Sequence, residues 1–409
     1  SLLRTTYIML PALRSASQGV AGAVATGLLH SLSRSAACNG ACHRCPQDCF
    51  FSGFNMPNVV PSHSMAYDTY GEPEDVLFVK PEEVPIKDFA SDECLVSWMA
   101  APVNPSDINQ VQGRYGIQPP LPAVGGNEGV GVVILAGKDS GVRMADLVIP
   151  RKAGLGTWRN KAIMKGSDLI EVDLNGLKPD HVDLAAQLGV NPPTALLLLR
   201  QFVGLERGDS VIQNAGDSAL ARCVTQIAKT RGINVISVIR DDIEDQDYVN
   251  LTSTLVDHGA YAVVKEEHVG SGLFNGLGLP APRLALNAVG GVSSLNLAKT
   301  LANGADSTMV TFGGLSKQPV MVPTPKHIFG GINSTGFFLN QWLTDSSKDE
   351  VDSTFQELTD MGRAGVLKAP QAQYIPYARG SGMADALLAV REGERDPETG
   401  VHSKVILKF

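Results

Sequence analysis

Over residues 191–342, short apolar runs alternate with helical stretches, and this alternation constrains the fold more than any other feature of the chain. Ser218–Arg231 predicts a helix, because Leu220, Val224 and Ile227 recur at helical spacing. The apolar runs predict five strands, the first of them buried: Asp209–Asn214, Asn234–Ile239, Tyr261–Lys265, Leu284–Val289 and Met309–Gly313. Strands that alternate with helices form parallel sheets. We therefore expect a Rossmann-type domain with a doubly wound parallel sheet over this segment.

The preceding residues, 65–190, have a different pattern. Short alternating segments such as Cys94–Met99 and Gly129–Leu135 are separated by Gly and Pro, which indicates a β-rich domain. Two later segments, Gly336–Trp342 and Ser403–Leu407, are also strand-like. We expect the last part of the sequence to return to the β-rich domain.

The N-terminal extension, residues 1–64, has the composition of a targeting segment. Its first 47 residues contain no Asp or Glu and carry four arginines among many Ser, Ala and Leu. This Arg-rich, acid-free composition is typical of mitochondrial transit peptides, although a plain tail is an alternative. It predicts a mitochondrial protein, in the matrix or on the matrix face of the inner membrane.

Four of the six cysteines fall close together in this extension, with the spacing C-x3-C-x2-C-x3-C: Cys38, Cys42, Cys45 and Cys49. Four such thiolates are able to hold a structural zinc ion or an iron–sulfur cluster. Two disulfides and free thiols are the alternatives, and a reducing matrix disfavours the disulfides. The other two cysteines, Cys94 and Cys223, are isolated and predict small buried side chains.

Charge and hydropathy exclude two classes of partner. The formal net charge is -8, whereas a nucleic-acid-binding surface requires a basic stripe. No run of about 18 uncharged apolar residues predicts a transmembrane segment.

Several ordered motifs resemble those of one enzyme family. Asn-Pro-Ser-Asp lies within Ala101–Asn109 and precedes Gly113–Gly116 and Leu121–Gly129. Five further matches follow in order: Ala153–Trp158, Leu188–Pro192, Leu286–Gly291, Thr311–Pro319 and Gly336–Trp342. Together they resemble the zinc-independent medium-chain dehydrogenases/reductases over residues 66–409, and in particular the mitochondrial trans-2-enoyl-CoA/acyl-carrier-protein reductases.

The resemblance implies an α/β fold with two domains. A GroES-like β-rich catalytic domain would span residues 65–190 and be completed by about 343–409, and the Rossmann domain would bind the cofactor. Zinc alcohol dehydrogenases carry a metal-binding His in a Gly-His-Glu motif, where this chain has Asn127. The implied chemistry needs no Lewis acid, because a thioester carbonyl already makes Cβ of an enoyl group electrophilic.

The implied activity is the NADPH-dependent reduction of enoyl-CoA or enoyl-acyl-carrier-protein in fatty-acid synthesis. Hydride goes to Cβ, and a tyrosine that matches Tyr115 gives the proton to Cα. The family's usual assembly implies a homodimer. The resemblance also implies a set of cofactor-binding residues: Asn191, Asp217, Ser218, Ala219, Leu220, Arg240, Phe312, Gly313, Gly314, Leu315, Phe337, Phe338, Leu339 and Lys404.

The phosphate loop departs from the family pattern. Ala219 and Ala221 replace two glycines, and we expect each to point a methyl group at the cofactor phosphate. Asp217 adds a negative charge, which would repel a phosphate about 4 Å away by about 4 kcal/mol at an effective dielectric constant of about 20. Alternatively, Asp217 or Ser218 only caps the following helix. Arg240 follows the second strand, but Asp242 replaces the family's second basic residue there.

These departures raise a second hypothesis. The chain would be a catalytically impaired reductase retained as a structural or accessory subunit of a large mitochondrial assembly, such as a respiratory-chain complex. A quinone reductase is a third and weaker option, against which Tyr115 argues.

Overall fold

The computed structural model describes residues 58–86, 89–174, 179–370, 372–377, 382–392 and 403–409. The cysteine cluster of the extension lies outside these residues. Sixteen strands are present within them: β1 Val59–Tyr67, β2 Phe78–Pro85, β3 Glu93–Pro102, β4 Ala123–Val124, β5 Val130–Ala136, β6 Leu147–Pro150, β7 Lys161–Lys165, β8 Leu169–Glu171, β9 Ser210–Gln213, β10 Asn234–Ile239, β11 Ala260–Lys265, β12 Leu284–Asn287, β13 Thr308–Thr311, β14 Asn333–Gly336, β15 Ala372–Pro376 and β16 Lys404–Lys408.

The α-helices of the described residues lie mostly between the later strands. They are α1 Pro73–Val76, α2 Pro105–Val111, α3 Pro179–Ala186, α4 Asn191–Gln201, α5 Ala219–Arg231, α6 Asp245–His258, α7 Leu273–Gly276, α8 Gly291–Thr300, α9 Thr324–Ile328, α10 Leu339–Asp345, α11 Lys348–Arg363 and α12 Met383–Glu392. Two short 3-10 helices, Gly166–Asp168 and Glu266–His268, complete the set. None of the described helices is long and apolar enough to cross a membrane.

Six parallel strands form one sheet in the order β11-β10-β9-β12-β13-β14. The direction of strand progression reverses between β9 and β12, which creates a crevice at their carboxyl ends. The central strands are completely buried, as expected when helices cover both faces of a parallel sheet. The predicted doubly wound parallel sheet is therefore confirmed.

The sequence-based prediction of a strand is wrong for one segment. Gly336–Trp342 is not a strand, because β14 ends at Gly336 and a helix begins at Leu339. Leu339, Trp342 and Leu343 are spaced by three and four residues, which places them on one face of a helix. A short apolar run fits both a strand and a buried helix, and here the helical spacing prevailed.

The β-rich part contains a three-stranded sheet, β2-β1-β4, and a larger sheet in the order β15-β16-β3-β5-β6-β8, with β7 paired to β3. The antiparallel pairing of β16 with β3 brings Ile406 opposite Pro102. The Lys404–Lys408 strand thus lies next to the segment that carries the Asn-Pro-Ser-Asp motif.

Trp158 shapes the loop between β4 and β5. Its ring is fully buried, and its indole N–H donates to the carbonyl oxygen of Pro102 at 3.1 Å. A Cβ at Gly125 would lie 2.3 Å from that ring, and one at Gly126 would lie 2.4 Å from Oγ1 of Thr157. The two glycines therefore allow the loop to pass under the indole, which directs Asn127 and Glu128 into the protein interior.

Candidate active site

A cleft of about 990 Å³ lies between the β-rich part and the carboxyl ends of the parallel strands. This volume suits a cofactor together with a substrate. Most of the residues that the resemblance assigned to catalysis or cofactor binding line it: Tyr115, Asn191, Ser218, Ala219, Leu220, Phe312, Gly313, Gly314, Leu315, Phe337, Phe338, Leu339 and Lys404. The fold brings these residues together from positions 115 to 404.

The phosphate loop joins β9 to α5. Gly216 lies against the neighbouring strand, and its N–H donates to the carbonyl oxygen of Val238 at 2.8 Å. A Cβ on Gly216 would lie 2.7 Å from Cβ of Ser237. Ser218 is the N-cap of α5, since its hydroxyl accepts the N–H of Ala221 at 3.2 Å. The first turn of the helix then retains backbone N–H groups without helical acceptors, an arrangement that suits a phosphate.

The expectation that both alanines would face the phosphate is wrong for Ala221. That residue is 2% exposed and does not line the cleft, whereas Ala219 is partly exposed and does. Successive residues of an α-helix are rotated by about 100° around the helix axis. Ala221 comes two residues after Ala219 on α5, so its side chain points to the opposite side, into the protein interior. Only one of the two methyl groups narrows the cofactor cleft.

Asp217 does not line the cleft either, because its side chain is buried. Arg222 is also buried and contributes to the cleft wall. Burial lowers the pKa of Arg222 to about 10, an effect that its neighbours Cys223 and Asp217 oppose. The guanidinium stays charged at neutral pH, so it offsets the negative charge that Asp217 brings to the phosphate loop.

Arg240 lies at the end of β10 and is not part of the cleft lining. Its side chain is 62% exposed, and Nε is 3.4 Å from a carboxylate oxygen of Asp242. The adjacent Asp241 accepts the N–H of Glu267 at 2.9 Å. The exposed Arg240–Asp242 pair contributes little energy, because water screens both charges. Arg240 is therefore able to leave Asp242 for a ligand phosphate at small cost.

Tyr115 projects into the cleft from the loop after α2. Its ring packs edge-to-face on Phe338, with 5.9 Å between the ring centroids. Burial and the carboxylate of Asp107 raise the pKa of Tyr115, whereas a hydrogen bond with the side chain of Asn340 lowers it. The hydroxyl is protonated at neutral pH and is held from the opposite wall of the cleft. It is in a state to donate a proton.

A hydrogen-bonded amide stands at the position of the metal-binding His of zinc alcohol dehydrogenases. Nδ2 of Asn127 donates to Asp107 at 2.7 Å and to Gln110 at 3.0 Å. Its Oδ1 accepts the N–H of Gly154 at 2.6 Å. Burial and the nearby Glu128 raise the pKa of Asp107 to about 6, against the hydrogen bonds from Asn104 and Asn127 and the charge of Lys404. Within the described residues, no group of three or more His, Cys, Asp or Glu side chains is placed to hold a metal ion.

The comparisons with known proteins agree with this geometry. Residues 90–173 match the family model of the alcohol dehydrogenase GroES-like domain. The chain is 41% identical to the mitochondrial enoyl-[acyl-carrier-protein] reductase of Bos taurus over 89% of this chain and 92% of that protein. It is 44% identical to the same enzyme of Rattus norvegicus over 80% of this chain and 85% of that protein.

The chain belongs to the mitochondrial enoyl-[acyl-carrier-protein] reductase family. The fold agrees, because the complex of Etr1p with NADP and crotonyl-CoA matches with a TM-score of 0.74 and 32% identity, covering 86% of this chain and all of that one. The mitochondrial 2-enoyl thioester reductase heterodimer of Candida tropicalis matches with a TM-score of 0.76 and 32% identity over the same shares of the two chains.

Family membership confirms the predicted fold class and the predicted mitochondrial location. It also favours an enoyl reductase over the alternative of a structural subunit. Three residues that shape the site were not predicted as part of it: Asn104, Asp107 and Glu128.

Proposed function

We propose that this chain catalyses the NADPH-dependent reduction of the C2–C3 double bond of 2-enoyl thioesters. One observation carries the proposal: the hydroxyl of Tyr115 and the N-terminus of α5 share one cleft with the Phe312–Leu315 turn. A proton donor and a dinucleotide-binding crevice are the two parts that this reaction requires. The enzymes of the same family are named for this substrate class.

The residues of the cleft divide the work. NADPH, when bound, supplies the hydride for Cβ of the substrate. The first turn of α5 would bind the pyrophosphate. The Phe312–Leu315 turn, which contains Gly313 and Gly314, would allow the nicotinamide half of the cofactor to approach the backbone closely. Tyr115 would then protonate Cα, while Asn340 and Phe338 fix the direction of its hydroxyl. The apolar side chains Phe337 and Leu343 line the same cleft and would exclude water from the reacting bond.

The test is an assay in which the purified chain reduces crotonyl-CoA with NADPH. The rate is measured as the loss of NADPH absorbance. We expect turnover and a dissociation constant for NADPH well below about 1 mM, measured by nicotinamide fluorescence. The absence of both NADPH binding and turnover at that concentration would contradict the proposed reductase activity. It would support the alternative of an accessory subunit. NADH and a simple quinone serve as controls for cofactor and substrate class.

We expect Arg222→Gln to weaken NADPH binding by at least tenfold. The substitution removes a buried positive charge from the cleft wall next to Asp217, and the remaining negative charge then disfavours the cofactor phosphates. The measurement is a fluorescence titration. Adding Asp217→Asn should restore most of the lost affinity.

The matched control is Arg231→Gln at the other end of α5, where the arginine pairs with Glu357. It should leave the affinity for NADPH unchanged. Equal affinities of the Arg222→Gln variant and the parent protein would show that Asp217 does not act on the cofactor.

We further propose that the chain forms a homodimer through β14. Within the described residues this strand pairs only with β13, and all four of its residues are exposed. Large apolar side chains nearby are exposed as well, among them Phe329 at 83% and Ile328 at 66%. An open strand edge beside apolar surface favours pairing with a second copy.

The double substitution Ile328→Glu with Phe329→Glu should convert the dimer into a monomer, because it places charges in the proposed interface. Light scattering coupled to size exclusion measures the mass directly. Val249→Glu is the control, since Val249 is similarly exposed on α6. A parent protein that is monomeric at micromolar concentration would end the dimer proposal.

A further inference from the structure

Two buried carboxylates and one half-buried ammonium group lie together at the cleft wall, and the ammonium group, that of Lys404, reaches the cleft itself. Glu128 and Asp107 are each 1% exposed, and Lys404 lies at the start of β16 beside them. Oε2 of Glu128 accepts Nδ2 of Asn104 at 3.1 Å, and the ammonium of Lys404 donates to Oδ1 of the same asparagine. Asn104 therefore bridges the acid and the base.

The other oxygen of Glu128 reaches across to the cofactor half of the protein. Oε1 accepts the N–H of Val190 at 2.9 Å, and the N–H of Gly189 is a second donor to this carboxylate. Val190 is the N-cap residue of α4, and α4 carries Asn191 and Thr194 on the cleft wall. Glu128 thus fixes the first turn of the helix that packs beside α5.

Contact at this point is close. A Cβ on Gly189 would lie 3.4 Å from Cγ of Glu128, so the backbone of residue 189 lies directly on the glutamate side chain. On the other side, Asn104 begins α2, which leads to Tyr115. Glu128 is therefore the shared support of the helix before the catalytic tyrosine loop and of the helix beside the phosphate loop.

An isolated carboxylate at such a site would be unfavourable, because burial removes the water that solvates the ion. Burial raises the pKa of Glu128, and Lys404 is the first of the groups that lower it again. Asp107 on α2 and Cys223 on α5 are the other titratable groups that Glu128 or Lys404 influence. Lys404 is the cation that the three share.

We propose that Lys404 is a positioning residue that acts through Glu128. Its charge keeps Glu128 ionised, and the ionised carboxylate holds Gly189–Val190, and with it the cofactor half of the cleft, in register with Tyr115. This inference rests on the proposed reductase function. It differs from the role that the family resemblance implies for Lys404, direct contact with a cofactor phosphate, and the two roles give different results.

A double-mutant cycle distinguishes positioning through Glu128 from direct contact with the cofactor. It uses the variants Lys404→Met, Glu128→Gln and their combination. We expect Lys404→Met alone to weaken NADPH binding by at least tenfold at neutral pH, and by less than twofold when Glu128 is already Gln. Raising the pH should recover part of the affinity of Lys404→Met, because Glu128 ionises again, and should not do so in the combined variant. Lys404→Arg keeps the charge and should stay within threefold of the parent.

The control is Lys408→Met on the same strand, where the lysine pairs with Asp183 at 2.8 Å outside this network. The same non-additivity should appear in the urea unfolding midpoints of the four cofactor-free proteins. This readout does not require reductase activity, so it distinguishes failure of this inference from failure of the proposed function.

Equal effects of Lys404→Met in both backgrounds would overturn the inference and assign Lys404 to the cofactor itself. Additive shifts of the unfolding midpoint, or a Lys404→Arg variant as impaired as Lys404→Met, would also overturn the inference.

Discussion

Replacing Tyr115 with Phe lowers kcat for crotonyl-CoA reduction by about 10²–10⁴-fold, the usual contribution of a positioned acid. The phenyl ring retains the edge-to-face contact with Phe338, so the cleft keeps its shape. Only the hydroxyl that would protonate Cα is lost. The dissociation constant for NADPH should change by less than about threefold, because the first turn of α5 is untouched.

Steady-state rates and a fluorescence titration on the same preparation measure both quantities. Tyr70→Phe is the matched control: the Tyr70 hydroxyl contacts the carbonyl oxygen of Pro119 at 3.4 Å, and Tyr70 is not part of the cleft lining. A Tyr115→Phe variant with parental kcat would require a different proton donor.

Replacing Gly216 with Ala removes NADPH binding almost completely. The added methyl group would lie 2.7 Å from Cβ of Ser237 and 3.0 Å from the backbone nitrogen of Val238. Backbone atoms of β10, which is paired on both sides, cannot shift easily, so the phosphate loop moves away from β10 and the first turn of α5 moves with it. Overpacking of this kind also costs about 1–3 kcal/mol in the free energy of unfolding.

Titration with NADPH and urea unfolding test this expectation together. Gly204→Ala is the control, because a methyl group added there would have no atom within 4 Å beyond its chain neighbours, and the substitution should be silent. If Gly216→Ala bound NADPH like the parent, the α5 N-terminus would not be the pyrophosphate site.

The parallel sheet is predictable because its signals are local. Each buried strand is a short apolar run, and α5 shows helical spacing between a capping Ser218 and Gly232, which adopts a left-handed conformation at the C-cap. The strand prediction for Gly336–Trp342 is wrong because a short run of apolar and aromatic residues fits a strand as well as a helix, and only the spacing of Leu339, Trp342 and Leu343 favours the helix. In the structure Gly336 ends a strand and Leu339 begins a helix.

The candidate site is predictable only in part. The motifs indicate Tyr115 and the cofactor loops through their family resemblance, but the sequence does not show which side chains turn inward. Ala221 is expected in the cleft and lies in the core, since the rotation of α5 depends on tertiary packing. In the sequence, nothing distinguishes Glu128 from the other residues of its motif. Its contact with Val190 joins two segments that are distant in the sequence and become neighbours only in the folded chain.

The pairing of β16 with β3 has a consequence for how the molecule is made. Asn104 and Lys404 touch although 300 residues separate them, and the entire parallel sheet lies within that interval. Contacts between such distant positions close large loops and form slowly. The parallel sheet is able to assemble from its own strands. The β-rich side of the cleft, which carries Tyr115, is complete only after β16 has paired with β3. During biogenesis, the dinucleotide crevice would therefore mature first and catalytic competence would arrive last, on a folding timescale that pulse-labelling hydrogen exchange is able to resolve.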